Sequence, residues 1–460
     1  MLLRSYLGAH RFEDILSSYE AMPDGFKKNF DCRFLWLSAA AHLRRFDIIQ
    51  QGIEELLEEP DEGTAATLLN RFYPFAGRAA PEVHRAVVDR LVTYRSELVT
   101  DHFDSLLKCV HDLRARGWMA ESRLLEDVLR ANARDPRKHV KLDVLDAQLS
   151  FWDKRYDLQV EAINRILAKQ DLNPVALIDG RAPLTCDNLK AGAPSTPVHG
   201  PLVSILMPAY NSGRTIAYAL GSLRNQTYQN FEVIVVDDAS HDDTAGIVEQ
   251  FSAIDPRFRL VSLNRNSGAF VARNTALAEA AGEFVTNQDA DDWAHPQKIA
   301  TAVAELQRDL PTVATWVDHV RCSSTQGFRA IDGYIRPDAS SLMFRRKPVM
   351  EKVGWYDSVR AAGDGEFHLR LERAFGRHSI RHLSKLLSFV SWSETSLSGA
   401  GAFEIDSDLN IYSPDRNAYR RAFGLWHETA ERLYMPFPLE RQRPFSVPES
   451  LLPSRSERST

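Results

Sequence analysis

Phe231-Glu232-Val233-Ile234-Val235-Val236-Asp237-Asp238-Ala239-Ser240 runs from an apolar, β-branched stretch straight into two carboxylates, a small residue and a hydroxyl. A short apolar run with almost no polar alternation is the pattern of a strand buried on both faces, which arises where helices cover a parallel sheet. Three further runs share it: Leu202 to Met207, Arg259 to Leu263 and Glu283 to Asn287. Between them, near 214–225, 243–254 and 269–281, apolar residues recur at helical spacing. This alternation predicts a mostly parallel sheet with helices on both faces.

Ligands of such sheets bind beyond the carboxyl ends of the strands, so the residues following each run are the candidate site. Here they are Pro208-Ala209-Tyr210-Asn211, Asp237-Asp238-Ala239-Ser240 and Asp289-Ala290-Asp291-Asp292-Trp293. Three carboxylates within four residues at a strand end repel one another unless a cation is bound. The bland alternative is a helix cap at Asp291 and Asp292. Oxygen donors of this kind suit Mn²⁺ or Mg²⁺.

Taken in order, these pieces resemble family 2 of the inverting glycosyltransferases, which have the GT-A fold. The matching run begins at Val203-Ser204-Ile205-Leu206-Met207-Pro208-Ala209-Tyr210-Asn211 and Gln226-Thr227-Tyr228. It continues through the quoted strand, Asn266, Gly268, Ala272-Arg273-Asn274 and Gly282-Glu283-Phe284-Val285 to the carboxylates. The resemblance implies a nucleotide-sugar donor, UDP-linked by preference, touched by Pro208, Tyr210, Asn211, Asp237, Asp238, Arg273, Asp289 and Asp291. It implies a metal on Asp291 and Asp292. Tyr210 stacks on the base and Asp238 accepts from the ring N–H. Against these roles stand a core tyrosine at 210 and a surface salt bridge at Arg273.

Inverting transfer needs a base on the acceptor side. Asp364, in Gly363-Asp364-Gly365-Glu366, resembles the family aspartate that opens a helix there, with plain helix capping as the alternative and Glu366 as the nearest substitute base. Two departures stand out. Gly363 precedes Asp364 where an acidic residue is usual, and Trp392 stands where many members carry a histidine, in Phe389-Val390-Ser391-Trp392-Ser393-Glu394-Thr395-Ser396-Leu397-Ser398. The stretch from about 325 to 360, with Trp355-Tyr356-Asp357, is expected to line the acceptor pocket or to be core. The Gln-x-x-Arg-Trp signature of processive synthases is missing, which favours transfer of one sugar per encounter.

Residues 1–178 read as successive helices. A basic turn followed by an aromatic residue recurs around Phe12, Phe46, Trp118 and Tyr156, close to multiples of the 34-residue tetratricopeptide period. A plain bundle is the alternative. Gly180, Pro183, Gly192, Pro194, Ser195, Pro197, Gly200 and Pro201 mark a linker over 179–200. The expected organisation is therefore multidomain: an α-helical, tetratricopeptide-like domain (1–178), the linker (179–200), an α/β GT-A domain (201–400), and a C-terminal helix with a flexible tail (401–460). That helix could pack on the catalytic domain or touch anionic lipid.

A chain of 460 residues with 44% hydrophobic and 26% charged residues is long enough for several cores. A net charge of −6 speaks against general nucleic-acid binding. Cys32, Cys109, Cys186 and Cys322 have no CxxC spacing, and His84, His102 and His111 have no paired ligands, so the sequence offers no zinc site or disulfide framework. A cytoplasmic protein is expected, with peripheral contact at the inner face of the membrane left open. Expected partners are the donor, a glycan, lipid-linked or protein acceptor, and a protein bound by the helical domain. The competing reading is a helical scaffold carrying an inactive transferase domain. A nucleotidyltransferase or dehydrogenase is disfavoured because no Gly-rich loop follows the first strand.

Overall fold

The computed structural model describes residues 6–7, 11–79, 84–94, 103–133, 135–193, 196–308, 311–329, 334–392, 405–406, 411–438 and 443–453. The chain divides into two compact units. One comprises Met1–Leu145, Ala330–Tyr334 and Ser398–Asn417, and the other Asp146–Arg329, Ile335–Leu397 and Ala418–Thr460.

Helices α1 (Phe12–Glu20), α2 (Asp24–Lys27), α3 (Phe30–His42), α4 (Phe46–Leu57), α5 (Glu62–Ala79), α6 (His84–Thr93), α7 (Phe103–Ala115) and α8 (Met119–Asn132) lie in the first unit. Helix α9 (Pro136–Trp152) spans the division, and α10 (Tyr156–Lys169) lies in the second unit. The sequence repeat has a local structural counterpart. Arg44, Gly117 and Lys154 each adopt positive φ, at 54°, 78° and 56°. The N–H of the following residue then returns to the carbonyl five positions back: Arg45 to Ala40 (2.9 Å), Trp118 to Leu113 (2.9 Å) and Arg155 to Ser150 (2.8 Å). Each is the left-handed helix ending that satisfies orphan carbonyls and starts the next helix at once.

In the second unit β1 (Val175–Leu177) pairs antiparallel with β2 (Leu189–Ala191). Strands β3 (Val203–Ala209), β4 (Phe231–Asp237), β5 (Phe258–Ser262) and β6 (Phe284–Asn287) follow, with α11 (Ile216–Arg224), α12 (Thr244–Ile254) and α13 (Ala269–Ala278) between them. Next come β7 (Trp293–Ala294), α14 (Lys298–Arg308), β8 (Ala314–Ser323), β9 (Gly327–Phe328), β10 (Arg336–Pro337), β11 (Met343–Arg345) and α15 (Arg346–Lys352). The unit closes with α16 (Gly363–Phe375), β12 (Ile380–Ser391) and most of α17 (Pro414–Thr429). The strand order is β5-β4-β3-β6-β11-β8-β12-β7, and β5, β4, β3 and β6 are mutually parallel. Strand β11 runs antiparallel to β6 and β8, and β12 is parallel to β8.

The predicted helical region and mostly parallel α/β sheet are both present. Val203, Ile205, Met207, Val233, Val235 and Phe284 meet Leu220, Leu223 and Ile299 in one buried cluster. At about 25 cal/mol per Å² of apolar area, such burial is the main term holding the sheet together. No helix among the described residues is long and apolar enough to cross a membrane.

Candidate active site

Parallel pairing aligns Ala209 with Asp237, which brings the tips of β3 and β4 together. Asp238 extends the ladder by one bond, donating its N–H to the Ala209 carbonyl at 2.8 Å. Asn211, at φ 48°, fastens the two tips by donating to Ser240 Oγ and accepting from His241 N–H, each at 2.9 Å. Asp237 accepts from Ser240 N–H at 3.3 Å. Pro208 is half-buried at the strand end, whereas the Tyr210 ring is 45% exposed, which excludes a core tyrosine.

Asp238 is buried, and its two oxygens accept from the N–H groups of Ser267 and Gly268, each at 2.7 Å. Burial pushes its carboxyl up, while those two donors oppose the shift. Gly268 has φ +92°, and a Cβ there would come within 3.2 Å of the Arg360 backbone. Only glycine tolerates both demands. Asp238 thus organises the loop entering α13, and each of its oxygens still has a lone pair for a further donor.

Arg273 points from α13 to the end of β6, where its Nη2 meets Asp289 Oδ1 at 2.5 Å. It is buried, so this is no surface bridge. Burial opposes its charge, but Asp289, and then Asp364, more than restore it, and its pKa lies above the usual arginine value. Its Nε has no hydrogen-bond partner among the described residues. Arg273 is therefore a buried cation paired with Asp289 and influenced by Asp364.

The three clustered aspartates have distinct surroundings. Asp289 holds Arg273, and its side chain is 34% exposed. Asp292 is buried, and its Oδ1 accepts from Ser391 N–H at 2.9 Å, joining the cluster to β12. Among the described residues the Asp291 carboxylate accepts only from its own backbone N–H. Burial and the charge of Asp289 raise Asp291 to about 6, and burial with both neighbours raises Asp292 well above the carboxylate range. No group of three or more His, Cys, Asp or Glu side chains is gathered for a metal among the described residues. The donor set nevertheless fits a hard divalent cation, because Mg²⁺-like ions take one or two carboxylates and fill their shell with substrate oxygens and water.

Three further residues near the site had been given no role from the sequence. Tyr218, on α11, donates its hydroxyl to the Asp291 carbonyl at 2.8 Å. Lys298, buried at the start of α14, donates to Gln288 Oε1 at 2.9 Å. Burial lowers its pKa, opposed by Asp338, Asp292 and Asp289. Asn274 brackets the Tyr356 backbone, donating to its carbonyl (2.9 Å) and accepting from its N–H (3.0 Å). Only Asn274, within the quoted Ala272-Arg273-Asn274, carried a signal.

Asp364 is the second residue of α16, and Ala362, at φ 68°, is the cap. The capping alternative therefore assigned the wrong residue. Asp364 Oδ1 accepts from Gly365 N–H at 2.9 Å. A side chain at Gly363 would strike the Phe270 ring at 2.9 Å, so the missing acidic residue reflects a helix start packed on α13.

Glu366 is not a spare base. It is wholly buried, paired with Arg370 (2.9 and 3.0 Å) and His427 (2.9 Å). Burial opposes its charge, but Arg370 and His427 hold its pKa below the usual glutamate range. Tyr356 and Asp357 are core residues, at 1% and 0% exposure, and do not line an acceptor pocket. Trp355 is half-buried against Phe437. Trp392 lies under the Arg329 guanidinium, 4.0 Å from its ring centroid. The remainder of that segment, Ser393 to Ser398, lies outside the described residues, as does His102. His111 bonds the Tyr334 hydroxyl at 2.9 Å, and all four cysteines are free thiols.

A parallel α/β sheet with an aromatic residue, paired acids and an arginine at its carboxyl edge has its candidate ligand site where open α/β enzymes bind theirs. The family described as Glycosyl transferase family 2 matches residues 204–357. The chain is 36% identical over 227 residues to EpsE of Bacillus subtilis (strain 168), a protein named as a glycosyltransferase, covering 48% of this chain and 76% of that one. Over 198 residues it is 29% identical to chondroitin synthase of Escherichia coli, with 40% and 28% covered. Over 91 residues it is 46% identical to the Escherichia coli UDP-Glc:alpha-D-GlcNAc-diphosphoundecaprenol beta-1,3-glucosyltransferase WfgD, with 20% and 35% covered. It thus spans about a third or less of the last two. Solved structures overlap loosely: S. aureus TarS 1-349 in complex with UDP (24% identity, TM-score 0.35, 42% and 61% covered) and the Pyrobaculum calidifontis mannosyltransferase PcManGT with GDP-Man and Mn2+ (18%, 0.33, 55% and 68%). The chain belongs to glycosyltransferase family 2 and is a glycosyltransferase.

Proposed function

We propose that the chain moves a sugar, with inversion, from a UDP-sugar to a hydroxyl of a glycan, lipid-linked or protein acceptor. The observation carrying this reading is Arg273, buried and paired with Asp289 at the strand end, with its charge also supported by Asp364 of α16. The Tyr210 ring, open to solvent beside the β3 tip, stacks on the base, and Asp238 accepts from its ring N–H. Pro208, Asn211 and Asp237 shape the cleft around the nucleotide, and Asp289 fixes the Arg273 guanidinium toward the diphosphate.

Of the two carboxylates available for Mn²⁺ or Mg²⁺, Asp291 is the ligand, since Asp292 is committed to Ser391 and anchors the cluster. When bound, the cation neutralises the diphosphate and stabilises the charge of the departing nucleotide. Asp364 keeps one oxygen on Gly365 and uses Oδ2 to take the proton from the acceptor hydroxyl as that oxygen attacks the anomeric carbon. The test is a panel of nucleotide sugars scored for Mn²⁺-dependent nucleotide release. Turnover of one UDP-sugar supports the reading. No turnover with any donor and acceptor, together with tight peptide binding, would support the inactive scaffold instead.

We further propose the domain division drawn from the sequence, with residues 1–178 as a repeat-like surface for a protein partner. The enzyme works in the cytoplasm, and peripheral contact with the inner face of the membrane would suit a lipid-linked acceptor.

A further inference from the structure

The segment between α15 and α16 leads into the helix that carries the proposed base, yet residues 355–362 form neither helix nor strand. Backbone without a ladder must be held by other groups, because its buried polar atoms still need partners. Asn274 supplies two of them at Tyr356, and Arg370 donates to the Val353 and Trp355 carbonyls at 2.6 and 2.7 Å. Most of the remaining attachments come from the C-terminal region of the chain.

Met435 brackets the start of the segment, donating to the Val353 carbonyl (3.0 Å) and accepting from Trp355 N–H (2.9 Å). Tyr419 donates its hydroxyl to Asp357 Oδ2 at 3.0 Å. Arg443 donates to Asp357 Oδ1 and to the Ser358 carbonyl. The Leu451 carbonyl accepts from Arg360 N–H at 2.8 Å. His427 meets Glu366 Oε1 at 2.9 Å, one helical turn after the helix begins. These five residues of 419–451 all attach to Val353–Glu366, and they themselves lie beyond the family match, which ends at 357.

We infer that the C-terminal segment is a positioning strap for the acceptor-side base. Arg443 and Tyr419 fix Asp357, Leu451 fixes Arg360, and His427 fixes the first turn of α16, so that Asp364 faces Arg273. The inference rests on the base assignment for its catalytic consequence but not for its structural content. Asp357 is the anchor: it is fully buried, burial pushes its carboxyl up, and Arg443 is the first influence opposing that shift.

The experiment uses the full chain with Arg443→Ala and Tyr419→Phe, the second retaining the ring and the Arg443 pair in case the first does not fold. Hydrogen exchange is read by peptide, UDP with Mn²⁺ is titrated, and nucleotide release from the active UDP-sugar is measured. Exchange over 357–366 should rise at least about tenfold in Arg443→Ala and less in Tyr419→Phe, with β3 and β4 unchanged. UDP affinity should stay within about twofold and KM for the donor should hold, while kcat falls about tenfold or more. Unchanged exchange over 357–366, or an equal rise in β3 and β4, overturns the strap. Faster exchange there with normal kcat sinks only the assignment of Asp364 as base.

Discussion

At the scale of single residues, the three clustered aspartates should not be equivalent. Asp291→Ala is expected to abolish metal-dependent UDP binding with little loss of melting temperature, because its carboxylate bonds no other described residue. Asp292→Ala should cost about 1–3 kcal/mol of stability, since Ser391 N–H is left unsatisfied, and calorimetric UDP titration with thermal melts on both variants checks the split. Asp364→Asn should keep donor affinity within about twofold while lowering transfer by about 10²–10⁴, the usual contribution of a positioned base. Near-normal turnover would remove Asp364 from that role. The sequence made Tyr210, Arg273 and these aspartates legible because their chemistry is carried by residue type. It could not show that Glu366 and Asp357 are buried partners of Arg370 and Arg443, because a buried carboxylate and a catalytic one are spelled alike. Their counter-ions lie 4 and 86 positions away.

At the scale of elements, strands and crossover helices were readable from apolar runs and helical spacing, since both record what each face touches. The start of α16 was misjudged by two residues. Ala362 takes the left-handed cap conformation where the helix start packs against Phe270 of α13, and that contact is between elements far apart in sequence. The loop before α13 is the element most dependent on a single residue. Gly268→Ala combines positive φ with a close approach to Arg360, and strain of this kind costs about 1–3 kcal/mol. It should lower the melting temperature and, by displacing the donors that Asp238 receives, weaken UDP binding several-fold. Unchanged UDP affinity in a folded variant would separate that loop from the nucleotide.

For the whole molecule, the division between helices and sheet was visible in composition and texture. The split within α9, and the return of distant segments to each unit, were not, because pairings between remote positions leave no periodicity. Acid stability also belongs to this scale. His295 is buried against the Asn173 carbonyl at 2.9 Å, and burial lowers its pKa to about 4. The unfolded chain binds a proton below about 6.5 that the folded chain refuses until about 4, so stability is full above pH 6.5 and falls as pH drops toward 4. The difference amounts to about 3 kcal/mol at one unit of pKa per 1.36 kcal/mol. Melting temperature against pH should fall over that window, and His295→Gln should flatten the slope. A last consequence concerns β5, which ends the strand order and so offers unpaired backbone groups to other chains. Arg259 in mid-strand is engaged by Glu232 at 3.6 Å and Glu279 at 3.3 Å. Charge on an open rim discourages edge-to-edge polymerisation, and this rim therefore guards the protein's solubility at high concentration.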